Sequence, residues 1–284
     1  YPEDLELMAF ADGLGYREAW IGEHFTLPWE NMPSPELFIA RALGVTEQMV
    51  FGTGISLLGY HNPVHVAHRI AMLDHLARGR LYFGIGSAGS PTDSEMLGID
   101  LEAGSLRDRM NESIQVILKI WNGEPFHHEG KFYPMTLPES RPEARLGFHM
   151  RPYQQPHLQI AVAGSSPRSD TLAMVGEMGW IPMSSMFLHH SMLPGHWDVV
   201  EESARRSGKK PSRAEWRIAR EIYVAEDGPR ARDEVLNGPI GRFFVDYWLP
   251  LLGHTERGLS TLKYDPDLPD DVLTPEYMLE HFWI

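Results

Sequence analysis

Apolar residues along this chain follow two alternating rhythms, one with helical spacing and one of short continuous runs. Leu7, Phe10, Ala11 and Leu14 recur at helical intervals, and Gly13 and Gly15 mark the end of that segment. Residues 18–22 then read as a short buried strand. A second helix is predicted over about 35–46, followed by a strand over 49–58. Val66, Ile70, Leu73 and Ala77 form the stripe of a third helix that Gly79 stops, and a strand over 81–86 follows directly. A Gly/Ser-rich loop over 86–91 leads to a helix over about 106–121 with Ile114, Ile117, Leu118 and Trp121 on one face. A Pro-rich connection reaches a strand over 157–163. Helix 169–178, strand 180–184, helix 197–207 and strand 216–225 continue the alternation. A helical, loop-rich insertion with many aromatics occupies about 231–280, and residues 281–284 read as a strand just begun.

Strands that alternate with helices imply parallel pairing, because parallel neighbours need long crossover connections. About seven strands are predicted, one short of a closed (β/α)8 TIM barrel. The expectation is a single α/β barrel domain spanning 1–284, lacking its first strand and last helix in this chain. An open doubly wound sheet is the alternative.

Composition narrows the function classes. The chain has 284 residues, 43% hydrophobic and 23% charged, which suits a globular protein with a substantial core. A formal net charge of -14 opposes binding to nucleic acid or an anionic membrane. No stretch approaches the roughly 18 apolar residues of a membrane span, and the first residues lack the basic start and apolar centre of a signal peptide. Cysteine is absent, which removes disulfides and thiolate metal sites and fits a cytoplasmic protein. The 14 histidines show no His-Glu-x-x-His spacing. His127-His128 and His189-His190 are adjacent pairs whose side chains diverge on any regular element, so no metal site is expected.

In an α/β barrel the active site gathers at the carboxyl ends of the strands. Those ends carry Glu23-His24-Phe25, Tyr60-His61-Asn62-Pro63, Gly86 to Ser90, and Gly164 to Ser169, while the strands themselves are apolar. Four polar or glycine-rich strand ends point to an enzyme without naming its reaction.

The stretches Leu14 to Phe25, Asn62 to Arg69, Leu73 to Arg80 with Phe83 to Gly86, Arg109 to Glu112 before Trp121, and Arg151 to Pro156 before Ile160 to Ser165 carry a resemblance in order along nearly the whole chain. They resemble the bacterial-luciferase-like flavin-dependent monooxygenases. Trp29 to Phe38 and Met96 to Asp100 look most like limonene-monooxygenase-type members. The resemblance implies a luciferase-like TIM barrel and a two-component oxidoreductase. In it a separate reductase supplies reduced FMN, with FAD as a possible substitute, and O2 oxidises a small apolar substrate of terpene, ketone or aldehyde type. It also implies a homodimer. A deazaflavin-dependent oxidoreductase, a non-catalytic flavin-binding relative and, more distantly, a metal-dependent barrel hydrolase are the competing classes.

The resemblance also assigns roles. His24 would lie over the flavin ring and hydrogen-bond the oxygenated cofactor or shuttle a proton; otherwise it caps a strand end. Glu23 would brace the flavin edge, or be a buried carboxylate satisfied by Arg80 or another cation. Gly54-Ile55 would lie beneath the ring at a non-proline cis peptide, with a plain β-bulge as the alternative. Ser87, Ser165, Ser166 and Ser169, with the Gly164 turn, are the phosphate candidates, although Ser169 could simply cap the following helix. Arg109 would reach the phosphate, or pair with Glu112. Ser87 stands where the luciferase subunits have arginine, which loosens the expected phosphate grip and the choice between FMN and FAD. Phe25, Trp29, Met183, Met186 and Phe187 would line an apolar substrate chamber or belong to the core. Phe243, Phe244, Tyr247 and Trp248 would form a lid or dimer surface.

Overall fold

The computed structural model describes residues 1–87, 89–101, 104–254 and 258–284; Ala88, inside the predicted Gly/Ser loop, and 255–257, inside the predicted insertion, lie outside them. The chain forms two compact units, residues 1–161 and 162–284.

The first unit opens with α1 (Pro2–Gly13), β1 (Glu18–Ile21), α2 (Pro35–Ala42), β2 (Val50–Thr53), β3 (Ser56–Leu57), α3 (Pro63–Ala77) and β4 (Leu81–Gly86). β1 pairs with β2, β2 with β4 and β3 with β4, all in parallel, with Glu18 opposite Val50, Phe51 opposite Leu81 and Ser56 opposite Ile85. This is the parallel pattern expected of crossover-linked strands. Phe51, Leu81, Phe83 and Ile85 share the strand face that is fully buried. On the opposite face Trp20 stacks on Tyr82 at 5.6 Å between centroids.

Local chemistry explains where α3 starts and stops. Asn62 caps it by accepting from the Val64 N–H at 2.9 Å, Pro63 occupies the first turn, and Arg78 and Gly79 end it with positive φ. The predicted strand 49–58 is two strands, parted at Gly54-Ile55, whose peptide bond is cis. The helix predicted to residue 46 stops at Ala42, because the chain turns there to bring Asp12 beneath the backbone N–H groups of Glu47, Gln48 and Met49.

After β4 come a short α4 (Pro91–Met96), absent from the predicted pattern, and α5 (Leu106–Asn122), which starts at a reciprocal Ser105/Asp108 capping box. The Pro-rich connection folds into an antiparallel hairpin, β5 (Phe126–His128) and β6 (Met135–Leu137).

The second unit holds the end of β7 (Gln159–Gly164), then α6 (Thr171–Met178), β8 (Ile181–Ser184), α7 (Leu193–Arg206) and β9 (Arg217–Ile218). β8 and β9 pair in parallel. The strand predicted over 216–225 shrinks to two residues, since its later part leaves the ladder. The insertion is helical as expected: α8 (Gly228–Asn237), α9 (Pro239–Phe243), a π-helical turn at Phe244–Trp248, α10 (Leu249–Gly253) and α11 (Pro275–His281). Phe244, Tyr247, Trp248, Leu262, Leu273, Met278 and Phe282 form its core. The predicted terminal strand is instead the end of α11 and its exit. Only Ile284 behaves like a strand residue, donating to the Glu221 carbonyl at 3.0 Å and accepting from the Tyr223 N–H at 2.9 Å.

Candidate functional site

Three strand ends of the first unit converge. Glu23, just past β1, is buried and accepts from the Leu57 N–H at 2.8 Å, while its second oxygen lies 2.6 Å from His61 Nε2. The carboxylate is therefore satisfied, but by His61. Arg80, the cation considered for it, donates to the carbonyls of Met49 and Thr46 instead. Phe25 packs against the rings of Tyr60 and His61. Tyr60 donates toward the Ser90 carbonyl at 3.0 Å, and burial raises its pKa above the ordinary value. Thr26 gives both its N–H and its hydroxyl to Asp93, at 2.8 and 2.5 Å. The loops after β1, β3 and β4 thus form one polar rim.

His24 belongs to that rim. Its backbone N–H bonds the Met32 carbonyl, and its Nε2 lies 3.2 Å from Glu30 Oε2. A carboxylate accepts, so Nε2 carries a proton, while Nδ1 accepts in a neutral ring and donates in an imidazolium. Nδ1 is buried and has no partner among the described residues. Trp29 is largely exposed.

Arg109 and Glu112 serve the hairpin. The Arg109 guanidinium lies 4.6 Å from the Phe132 ring centroid and donates to the Asp100 carbonyl at 3.3 Å, leaving Nε buried without a partner among the described residues. Glu112 accepts from the N–H groups of Phe132 and Tyr133. Two more of the sequence blocks meet through Asp74, which is fully buried and accepts from the Gln154 backbone and side-chain amides at 2.8 Å each.

In the second unit the ends of β7 and β8 meet where Ser185 N–H bonds the Gly164 carbonyl at 3.0 Å. The Gly164 to Ser169 loop follows. Ser169 is buried with its hydroxyl 2.8 Å from that of Thr171, so it does not cap α6, which starts at Thr171 behind Asp170. Ser166 gives its carbonyl to His196 Nε2 at 2.7 Å. Met183 sits on β8, and Phe187 packs edge-on against Trp248 at 4.4 Å, joining the core of the insertion. Arg220, just past β9, lies 5.4 Å from the Phe282 ring, and its Nη2 is buried without a partner among the described residues.

Sequence reasoning placed His61 at a polar strand end without giving it a role, and missed Asp93, Ser184, His196 and Arg220. Asp93 stands beside a strand-end loop, so position alone could have raised it as it raised His61. His196 sits inside a helical stripe, and nothing in the spacing singles it out.

Residues 1–266 match the family of luciferase-like monooxygenases. The 2,5-diketocamphane 1,2-monooxygenase 1 of Pseudomonas putida is 30% identical over 99% of this chain and 78% of its own length. Limonene 1,2-monooxygenase of Rhodococcus erythropolis is 34% identical over 83% of this chain and 58% of its own length. Among solved structures, the FMN-bound oxygenating constituent of 3,6-diketocamphane monooxygenase from Pseudomonas putida, a type II Baeyer-Villiger monooxygenase, superposes with a TM-score of 0.88. It is 29% identical, and the match covers 99% of this chain and 78% of that one. The luciferase-like α/β barrel class expected from the sequence is therefore the fold class of this chain.

Proposed function

This chain belongs to the luciferase-like monooxygenase family, and from that premise we propose that it uses reduced FMN and O2 to oxygenate a small apolar substrate of terpene, ketone or aldehyde type. The observation that carries the proposal is the rim of the first unit, where His24 Nδ1 is buried with no partner among the described residues, beside the satisfied Glu23–His61 pair. A buried ring nitrogen left unmet costs stability by itself and is useful beside a polar ligand edge.

The residues present fit FMN. The first unit offers the unmet His24 Nδ1, and the second, taken by itself, offers in its Gly164 to Ser169 loop hydroxyls and backbone N–H groups ahead of α6, the donor set a phosphate monoester needs. When bound, reduced flavin supplies the electrons and activates O2. The protein supplies position and a dry setting. His24 holds or passes a proton at Nδ1 while Glu30 orients the ring through Nε2. Glu23 fixes the Leu57 backbone and His61, and so positions the rim. Gly54, Ile55 and Ser87 frame the ring site. In the second unit Ser165, Ser166 and Ser169 are the groups this reading gives to the phosphate, and Arg109 is the cation it assigns from the first unit. Phe25 and Trp29 in the first unit, and separately Met183 and Phe187 in the second, are the apolar side chains this reading gives to the substrate.

On the same reading the chain acts as one barrel domain within a cytoplasmic homodimer and receives reduced FMN from a separate reductase, without contact to nucleic acid or membrane. The family premise and the net charge of -14 support this. Among the described residues no helix is long and apolar enough to cross a membrane.

The test supplies reduced FMN, O2 and limonene or a bicyclic ketone, and reads product, O2 uptake and hydrogen peroxide. Product formation is expected; O2 uptake no faster than that of free reduced FMN, with no product, would overturn the proposal. His24→Ala is expected to lower product per O2 by about tenfold or more while FMN affinity stays nearly unchanged. An unaltered product yield would remove His24 from the reaction.

A further inference from the structure

His196 lies in the first turn of α7 with no exposed surface, yet both of its ring nitrogens are engaged. Nε2 is 2.7 Å from the Ser166 carbonyl oxygen and Nδ1 is 2.8 Å from Ser184 Oγ. A carbonyl can only accept, so Nε2 carries the proton. Burial lowers the imidazole's pKa from its ordinary 6.5, against the opposing effect of the Ser166 bond, so the ring is neutral and Nδ1 accepts from the Ser184 hydroxyl. Ser184 Oγ in turn accepts from Trp216 Nε1 at 2.9 Å. The donors run in one direction, from Trp216 through Ser184 and His196 to Ser166. With a neutral ring this is the arrangement of protons that satisfies all four groups.

That chain of bonds ends on the loop to which the proposed function gives the cofactor phosphate. Drawing the Ser166 carbonyl onto the imidazole sets the plane of the following peptide. Ser185 holds the Gly164 carbonyl on one side of the loop. On the other, Gly195 admits the Pro167 carbonyl so closely that a Cβ there would meet it at 2.5 Å. A loop bonded at the Gly164 and Ser166 carbonyls and closely packed at the Pro167 carbonyl presents its N–H groups and hydroxyls in fixed directions, which is what recognition of a phosphate requires.

We infer that His196 is a positioning residue that presets the 164–169 loop for a phosphate monoester, so that preference for FMN over riboflavin resides partly in a buried side chain behind the loop. The inference rests on the FMN reading above. Its logic is that riboflavin shares the ring and ribityl chain but lacks the group the loop would hold.

The experiment titrates FMN and riboflavin by flavin fluorescence into the wild-type protein, His196→Leu, His196→Gln and Ser184→Ala. Wild type is expected to bind FMN more tightly than riboflavin. His196→Leu should weaken FMN by about tenfold, equivalent to about 1.4 kcal/mol, while leaving riboflavin within about twofold. A glutamine amide can donate to Ser166 and accept from Ser184, so His196→Gln should restore most of the FMN preference. Ser184→Ala should lose a smaller part of it, and these two variants carry the test if the leucine variant does not fold. Equal loss of both flavins in the variants, or no loss of FMN, would overturn the inference. A wild-type protein that shows no preference for FMN would overturn the cofactor reading itself, before any variant is compared.

Discussion

Buried ionisable side chains decide how the second unit responds to acid. His196 and His189 both titrate below their ordinary 6.5, chiefly because burial penalises the imidazolium. A depressed pKa adds stability that is present in full above the unfolded value and is lost as the pH falls through the folded one. Glu221 runs the other way. Burial raises it above 4.5, so its contribution is present below that value and is lost as the pH rises through the folded one. Comparing variants isolates the histidine: between about pH 7.5 and about pH 5.5, the urea midpoint of wild type should fall further than that of His196→Gln. Equal falls would mean that His196 accepts a proton without cost. Single residues were unevenly legible in the sequence. Glu23 and His24 could be read because a strand end exposes its polar residues in order. The partner of Glu23 could not, since choosing His61 over Arg80 depends on how the chain resumes after the Gly54-Ile55 break. His196 left no trace, because a histidine on a helical stripe shows its purpose only when a distant carbonyl comes to rest on it.

At the scale of elements, close helix packing is the feature most exposed to change. α6 and α7 approach at Gly176, where a Cβ would lie 2.0 Å from Ser203 Oγ and 2.4 Å from the Val200 carbonyl. Serine can rotate away, but backbone cannot. Gly176→Ala should therefore cost about 3 kcal/mol, read as a lowered urea midpoint with unchanged slope. A neutral result would show that the two helices can slide apart freely. The elements best read from the sequence were those with a stop signal at each end, such as β4 between Gly79 and the loop after Gly86, and α3 between Asn62 and Arg78. Elements whose limits depend on a neighbour were read poorly. β9 is cut short by loss of its ladder, and the β5–β6 hairpin is hidden in a proline-rich stretch. Residues 282–284 are apolar and strand-like in composition, yet α11 continues through His281.

For the molecule as a whole, the charge balance opposes its own cofactor. A net charge of -14 repels a phosphorylated flavin at long range. Raising the ionic strength from about 0.01 M to about 0.15 M shortens the screening length from about 30 Å to about 8 Å. Capture of FMN, followed by stopped-flow fluorescence, should therefore quicken with salt, while capture of uncharged riboflavin should not. Slower FMN capture in salt would show that local cations such as Arg109 and Arg220 outweigh the global field. The barrel class could be read from the alternation of strand and helix, and the parallel register bears it out. The division into two compact units could not, because no linker composition marks residue 161. The face of α1 has a practical corollary. Leu7, Phe10 and Leu14 are all more than half exposed there and border an apolar groove with Ala11, Tyr16 and Met49. Environment-sensitive dyes that glow on hydrophobic surface will already be bright on the native protein, so melting of its variants is better followed by circular dichroism or calorimetry than by dye emission.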